Sequence, residues 1–214
     1  MSCRRTVCLV IPLTVISLVY SAAPHGASAA EHSVNPQYIP ANAFAAVVVH
    51  PKESLHSEEL ELLPREVMAA GGLQEWGFDP TQIVQLVAFA TIGETLDEPP
   101  KVGAILRFDE KVALSDRLLQ FMEKKELNGL PFYRSRRPDM PSFYLPNPTT
   151  LLLAPEDVLR EMAETKDAGT PLVKLLTAEA PASHATGYVA VEQIQKQLKA
   201  ASEGAPVPLP DGGR

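Results

Sequence analysis

The chain has very little cysteine. Of its 214 residues only Cys3 and Cys8 are cysteines, and both lie in the first eight positions. The rest of the chain therefore has no thiol that could form a disulfide, hold a metal as a thiolate or act as a cysteine nucleophile.

The local motifs of the common enzyme classes are also missing. The chain contains no Gly-x-Gly-x-x-Gly or Gly-x-x-x-x-Gly-Lys-Ser/Thr phosphate loop, no Gly-x-Ser-x-Gly nucleophile turn and no His-Glu-x-x-His zinc motif. Basic residues number 19 against 26 acidic ones, for a formal net charge of −7. A nucleic-acid partner is not expected, because binding one depends on clustered Lys and Arg. The sequence predicts a non-enzymatic binding or scaffold module with no cofactor, whose partner would be an unidentified protein or envelope component.

The first thirty residues have the layout of a secretory signal peptide. Arg4 and Arg5 precede an apolar run from Val7 to Val19, and small residues then lead to Ala27-Ser28-Ala29-Ala30. We expect residues 1–30 to be cleaved and the protein to be exported to the periplasm or cell envelope, or secreted. Loss of two positive charges takes the formal net charge from −7 to −9. The alternative is a retained membrane anchor, although the run is shorter than the ~20 residues of a spanning helix.

Residues 31–182 are predicted to form an α+β domain. Apolar runs bounded by proline or turn residues predict strands at 43–50, 83–91 and 101–108, with an acidic loop at 93–100. Asn128-Gly129 predicts a hairpin turn. Further strands are expected at 132–134, 142–145 and 149–154.

Helix signals lie between these strands. Ser57 before Glu58 predicts a capped start, and Pro64 either breaks that helix or opens a second one. Gly71-Gly72 predicts its end. Other helices are expected from Asp116 to about Lys125, from Pro155 to about Thr165 and over 171–178. This order predicts an antiparallel or mixed sheet with helices on one face, and a ferredoxin-like topology is one arrangement compatible with it.

Residues 183–203 repeat the strand-then-helix order of residues 43–63, with a strand at 185–191 and a helix at 192–201. They are either a closing element of the first domain or the start of a second, similar module. Residues 204–214 form a proline-rich tail.

Two histidines are the candidate catalytic or metal-binding residues. His50 ends a predicted strand and His56 comes just before a predicted helix start, so the two histidines could meet, with Glu58 and Glu59 following in the sequence. The alternative to a binding or scaffold role is therefore a metal-dependent or other hydrolase that uses His50, His56 and nearby carboxylates. The spacing fits no zinc motif, and surface loop histidines are the competing interpretation.

Three other features have ordinary structural interpretations. The basic cluster at 134–137 suggests an anion contact or a solvated cationic sheet edge. Trp76 and Phe78 suggest an aromatic contact or a loop packed on the core. The acidic pairs 58/59, 97/98, 109/110 and 156/157 mostly lie in turns or first helical turns, where a solvated role is expected.

Residues 38–51, which run from Tyr38 to Pro51, together with Gly77-Phe78-Asp79-Pro80, resemble a group of exported proteins of planctomycete-type bacteria. The resemblance covers residues 38–165 and rests on structural motifs. It implies export but no established activity and no catalytic residue. Members of that group are often longer, which favours the second-module interpretation.

Overall fold

The computed structural model describes residues 34, 36–93, 98–138, 140–165, 169–178, 185–192, 194–195 and 199. These residues form one eight-stranded antiparallel sheet with helices packed against it, which confirms the predicted α+β class. The strands are β1 (Ala43–Val49), β2 (Ile83–Thr91), β3 (Lys101–Phe108), β4 (Met122–Leu127), β5 (Leu130–Ser135), β6 (Ser142–Asn147), β7 (Thr150–Ala154) and β8 (Ala185–Val189). The helices are α1 (Pro51–Leu55), α2 (Arg65–Glu75), α3 (Asp116–Leu119), α4 (Glu156–Glu164) and α5 (Pro171–Ala178).

Across the sheet the strand order is β4-β5-β6-β7-β3-β2-β1-β8. All neighbouring pairs are antiparallel. β2 and β3 have the predicted bounds and pair along their whole length. The sheet is larger than a four-stranded ferredoxin-like one, and that topology stays a prediction.

Successive residues of a strand point to opposite sides of the sheet. Apolar side chains are buried on both of these faces. We call the face under α4 and α5 the helix face. Its core includes Val48, Phe89, Ile105, Leu152 and the α4 residues Leu159 and Met162. The second face carries a separate cluster, which includes Leu106, Phe108, Leu118, Phe143 and Leu151.

The predicted hairpin at Asn128-Gly129 is confirmed, with φ of 54° and 75° at the two turn residues. Both values are positive, as a two-residue type I′ turn requires. The predicted helix from Asp116 to Lys125 is wrong beyond Leu119, because β4 begins at Met122 and pairs with β5 along the hairpin. Leu118 and Met122 are both buried and are four residues apart, as in a helix. Leu118 nevertheless belongs to α3 and Met122 to β4, so the spacing alone was misleading.

The predicted helix end at Gly71-Gly72 is also wrong, since α2 continues to Glu75. Gly72 is needed for close packing instead: a Cβ there would overlap the Pro80 ring and lie 2.8 Å from the carbonyl oxygen of Phe78. The glycine that follows the end of the helix is Gly77, where φ is +88° and the amide donates to the carbonyl of Gly72.

Between β1 and α2 the chain forms shorter elements than the sequence predicts. Ser57 precedes only a 3₁₀ turn at Glu58–Leu60, and its side chain makes no capping hydrogen bond. Pro64 does open a second helix, since α2 begins at the next residue. The sequence pattern does not predict the short helix α1, because a proline directly after an apolar run indicates only the end of a strand.

β8 pairs with the outer edge of β1 and so belongs to the same sheet. The antiparallel pairing runs from Ala45 opposite Val189 to Val49 opposite Ala185. The described residues from Val191 to Lys199 are helical. The second-module interpretation stays a prediction, and segments 1–30 and 204–214 lie outside the described residues.

No helix in the described part of the chain is both long and apolar enough to cross a bilayer.

A pH-dependent prediction arises where α4 meets the start of β1. Burial, together with the nearby carboxylate of Asp157, raises the pKa of Glu161, although Asn42 donates to its Oε2 at 3.4 Å. A carboxyl group whose pKa is higher in the folded than in the unfolded state lowers the free energy of unfolding once the pH rises above its unfolded-state pKa. The loss is complete above the folded-state pKa and stays constant from there. Glu161→Gln keeps an acceptor for Asn42 and removes the charge. We expect its melting temperature to exceed that of the parent at pH 7, with the gain shrinking towards pH 4.

The exposed Glu164, three residues further along α4, supplies the control. Glu164→Gln should leave the melting temperature almost unchanged at both pH values. A lower melting temperature for Glu161→Gln at pH 7 would show that the ionised carboxylate stabilises the fold.

Candidate functional site

His50 is buried rather than at the surface, so the surface interpretation is wrong for this residue. Only 3% of it is exposed, at the junction of β1 and α1. Its carbonyl accepts hydrogen bonds from the backbone and the hydroxyl of Ser54. Its Nε2 lies 3.4 Å from the side-chain nitrogen of Gln85, so the imidazole and the amide interact inside the fold.

His56 is exposed at the other end of α1, as the surface interpretation predicts. Its Nδ1 lies 2.6 Å from the carbonyl oxygen of Lys52. Within the described residues, no group of three or more His, Cys, Asp or Glu side chains is placed to hold a metal ion. His184 and the side chain of Glu59 lie outside the described part.

His50 is one end of a row of polar residues on the helix face, which we call the polar row: His50, Gln85, Arg107 and Thr150. Gln85 of β2 pairs with Arg107 of β3, and Arg107 pairs with Thr150 of β7. Cross-strand partners point to the same side of a sheet, so these side chains lie next to one another. Gln85 and Thr150 are each 6% exposed. The polar row therefore lies on the same face of the sheet as the apolar helix-face core and borders it.

Two tyrosines belong to the helix face. Tyr38 packs against the helix-face core, and Tyr144 within that core is 3% exposed. Burial raises the pKa of both phenols, so both are protonated hydrogen-bond donors at neutral pH. Tyr38 has φ of +77°, a backbone conformation that residues other than glycine rarely adopt. Such strained positions cluster at functional sites.

The opposite face of the sheet carries a second candidate surface, which we call the open face. It consists of cross-strand neighbours on β8, β1, β2 and β3, all of them apolar. They are Gly187 and Val189 of β8; Ala45, Val47 and Val49 of β1; Leu86, Ala88 and Ala90 of β2; and Val102 and Ala104 of β3.

Within the described part of the chain, the open face stays partly exposed to solvent. Val47, Val102 and Val189 are 38%, 59% and 53% exposed, and the alanines between them are half-buried. Scattered exposed apolar residues are ordinary, whereas a contiguous apolar patch marks an interaction site. Strands that are apolar on both faces are typical of a sheet covered on both sides.

Trp76 and Phe78 pack against the core, as the structural interpretation predicts. Phe78 meets Phe108 edge to face at 5.1 Å between ring centroids, and Trp76 meets Phe143 at 6.4 Å. A cavity of about 160 Å³ has Phe78 and Phe108 among its lining residues. The Asp79 carboxylate at its wall already accepts hydrogen bonds from the amide and hydroxyl of Thr81.

The basic cluster is divided between structural contacts. Arg134 lies within β5, an interior strand, and pairs with Glu156 of α4 at 2.7 Å. The predicted role as a sheet edge is therefore wrong for this residue. Arg137 lies over the ring of Phe121 at 5.8 Å. Glu156 and Asp157 occupy the first turn of α4, where Arg160 binds the former and Lys101 the latter.

Arg107 and the open face are the site features that motif searching missed. Arg107 is the one charged residue in the interior of the apolar run Lys101–Phe108, and that position was the available signal. Comparisons of the chain with protein-family models, curated proteins and solved structures find no match.

Proposed function

We propose that the chain is an exported, non-enzymatic binding or scaffold module, and that the open face binds an amphipathic helix of a partner protein. The observation that supports this is the contiguous apolar surface with its three solvent-exposed valines. A partner that covers these valines would remove them from water, which stabilises the complex by ~25 cal/mol for each Å² of apolar surface buried.

The size of the open face favours a helix over a second copy of the chain. Four strands about 4.8 Å apart and five residues about 3.4 Å apart give a patch of roughly 15 by 15 Å. A stable protein–protein interface buries about 800 Å² on each partner, several times that area. One helix is about 10 Å wide and covers 15 Å in about ten residues.

The composition of the open face also favours a helix. The cross-strand partners of Val47 at its centre are the small residues Ala88 and Gly187, so a helix backbone could approach closely on either side of Val47. On the opposite side the same strands are already covered by helices: α4 lies over β3 and α5 over β1 and β8. A partner helix would complete a three-layer arrangement in which the sheet is buried on both faces.

Site-directed photocross-linking tests the proposal. Val102→p-benzoylphenylalanine places the probe on the open face, and the same replacement at Val67, which is 68% exposed on α2, is the control. In cells that produce the chain, we expect an adduct from position 102 whose cross-linked peptide maps to one amphipathic helix. Adding Val47→Lys should reduce that adduct at least tenfold, and adding Leu62→Lys should leave it unchanged.

Other occupants of the open face would overturn the proposal. An adduct of twice the chain's mass would identify a second copy, and a lipid adduct would identify a membrane surface. Equal adducts from positions 102 and 67, or none from 102, would also contradict it. Export is tested separately by N-terminal sequencing, for which we expect a start at Ala30 or Glu31.

A further inference from the structure

The cavity of about 160 Å³ lies between the segment that follows α2 and the loop that follows β3. Its apolar lining includes Leu73, Phe78, Phe108 and Val112. Phe78 and Phe108 meet edge to face at 5.1 Å between ring centroids, so this part of the wall is aromatic. A cavity of about 150 Å³ with apolar walls holds one benzene molecule. This cavity therefore has room for a single ring of that size.

The loop on one side of the cavity is held in place at both ends. The Val112 amide donates to the carbonyl of Pro148 at 2.8 Å. Three residues later, the Ser115 amide donates to the carbonyl of Trp76 at 3.1 Å. Binding sites for small molecules are usually formed before the ligand arrives. These hydrogen bonds fix the loop against the sheet and against the end of α2, so the cavity meets that condition.

Asp79 places a fixed carboxylate at the wall of the cavity. Its Oδ1 accepts hydrogen bonds from the amide of Thr81 at 2.8 Å and from the hydroxyl of Thr81 at 2.7 Å. Within the described residues, its Oδ2 makes no hydrogen bond. The side chain is therefore oriented by one oxygen, and the other oxygen is left to accept a hydrogen bond from a ligand.

The charges that line the cavity favour a cation. Besides Asp79, the lining contains the exposed side chains of Glu110 and Lys111, which makes two acids and one base. Among the residues that the structure describes, no basic nitrogen lies within 4 Å of the Asp79 carboxylate, and Glu110 and Lys111 form no ion pair. A half-buried carboxylate is stabilised by a counter-charge. A ligand cation would supply it.

We propose that this cavity binds a small organic cation, namely a primary ammonium group attached to an apolar ring of about benzene size. The ammonium group donates to Oδ2 of Asp79, a charge-assisted hydrogen bond. The ring packs against Phe78 and Phe108, and aromatic rings also attract cations. A neutral ligand of the same shape lacks the charge, and an anion would be repelled by Asp79 and Glu110.

This site goes beyond the helix-binding proposal and does not depend on it. None of the residues that line the cavity belongs to the open face. Either proposal can therefore fail while the other holds.

The test is an NMR titration of the ¹⁵N-labelled chain at neutral pH and constant ionic strength. The probes are benzylamine, benzyl alcohol and sodium benzoate, which share one ring and differ in charge. We expect saturable shifts of the Phe78, Asp79 and Val112 amides, with a benzylamine dissociation constant on the order of 1 mM for a ligand of this size. Benzyl alcohol should bind at least about fivefold more weakly, because it lacks the charge-assisted hydrogen bond. Benzoate should bind more weakly still.

Three variants of the chain separate the charge from the ring. Asp79→Asn keeps an oxygen for Thr81 and removes the charge, so benzylamine binding should weaken at least about fivefold while benzyl alcohol binding stays the same. Asp116→Asn, the same substitution at an exposed position outside the cavity, should change neither. Lys111→Gln removes the positive charge from the lining, so it should bind benzylamine at least as tightly as the parent.

Several results would overturn the proposal. They are benzyl alcohol or benzoate binding as tightly as benzylamine, no saturable shift with benzylamine up to about 50 mM, and unchanged benzylamine binding in Asp79→Asn. Weaker benzylamine binding in Lys111→Gln would also contradict it. The comparison of the three probes uses the parent chain, so it decides the question even where a variant does not fold.

Discussion

Gly77→Ala is expected to destabilise the fold by about 4 kcal/mol or more, among the largest effects of a single substitution. The backbone at Gly77 has φ of +88°, which alone costs a residue with a side chain about 1–2 kcal/mol. A Cβ there would overlap the amide nitrogen of Ser115 and lie 2.7 Å from the carbonyl oxygen of Ala113. These are backbone atoms, which cannot rotate aside as a flexible side chain could.

The Gly77 contact also holds α2 and α3 together. The Ser115 amide donates to the Trp76 carbonyl at 3.1 Å, and its hydroxyl accepts from the Leu118 amide at the start of α3. Moving Ser115 away from a new methyl group would strain both bonds. Guanidinium chloride unfolding of Gly77→Ala measures the total effect.

Gly129→Ala is the matched control, because φ is +75° there and a Cβ would meet nothing within 4 Å. It should lose only about 1 kcal/mol, the conformational part. Equal losses at positions 77 and 129 would mean that the contact with Ser115 is unimportant.

Leu159→Ala should cost about 3–4 kcal/mol, because it opens a cavity between α4 and the sheet. Leu159 has no exposed surface and lies in the helix-face core. Leu175→Ala on α5 is the control, since Leu175 is 43% exposed and should lose less than about 1 kcal/mol. Urea unfolding of both variants decides the question. A loss below about 1 kcal/mol for Leu159→Ala would show that α4 is not fastened by this side chain.

Local patterns predicted much of the fold. The β2 and β3 runs, the Asn128-Gly129 turn and the helices α4 and α5 each depend on neighbours in sequence, and each appears where the pattern placed it. The errors have a common cause. Gly72 faces Pro80 and the β4 residues pair with β5, so contacts outside the local pattern decided their conformation.

The candidate sites were harder to predict for the same reason. The polar row collects one residue each from β2, β3 and β7 and one from the end of β1, and the open face collects residues from four strands. Strand order and register determine which of these residues meet, and neither can be read from spacing along the chain. A charged residue inside an apolar strand, as at Arg107, is the kind of local inconsistency that sequence reading can detect before a structure exists.

The pairing of β8 with β1 has a consequence for the order in which the chain folds. The two strands are neighbours in the sheet, but nearly the whole described chain separates them in sequence. A chain that emerges N-terminus first can pair β1 with β2 early, whereas the other edge of β1 must wait for β8. During that interval an apolar strand presents unpaired amides and carbonyls, the condition that favours association with other chains. The speed with which β8 docks therefore sets how long each newly made molecule is exposed to aggregation.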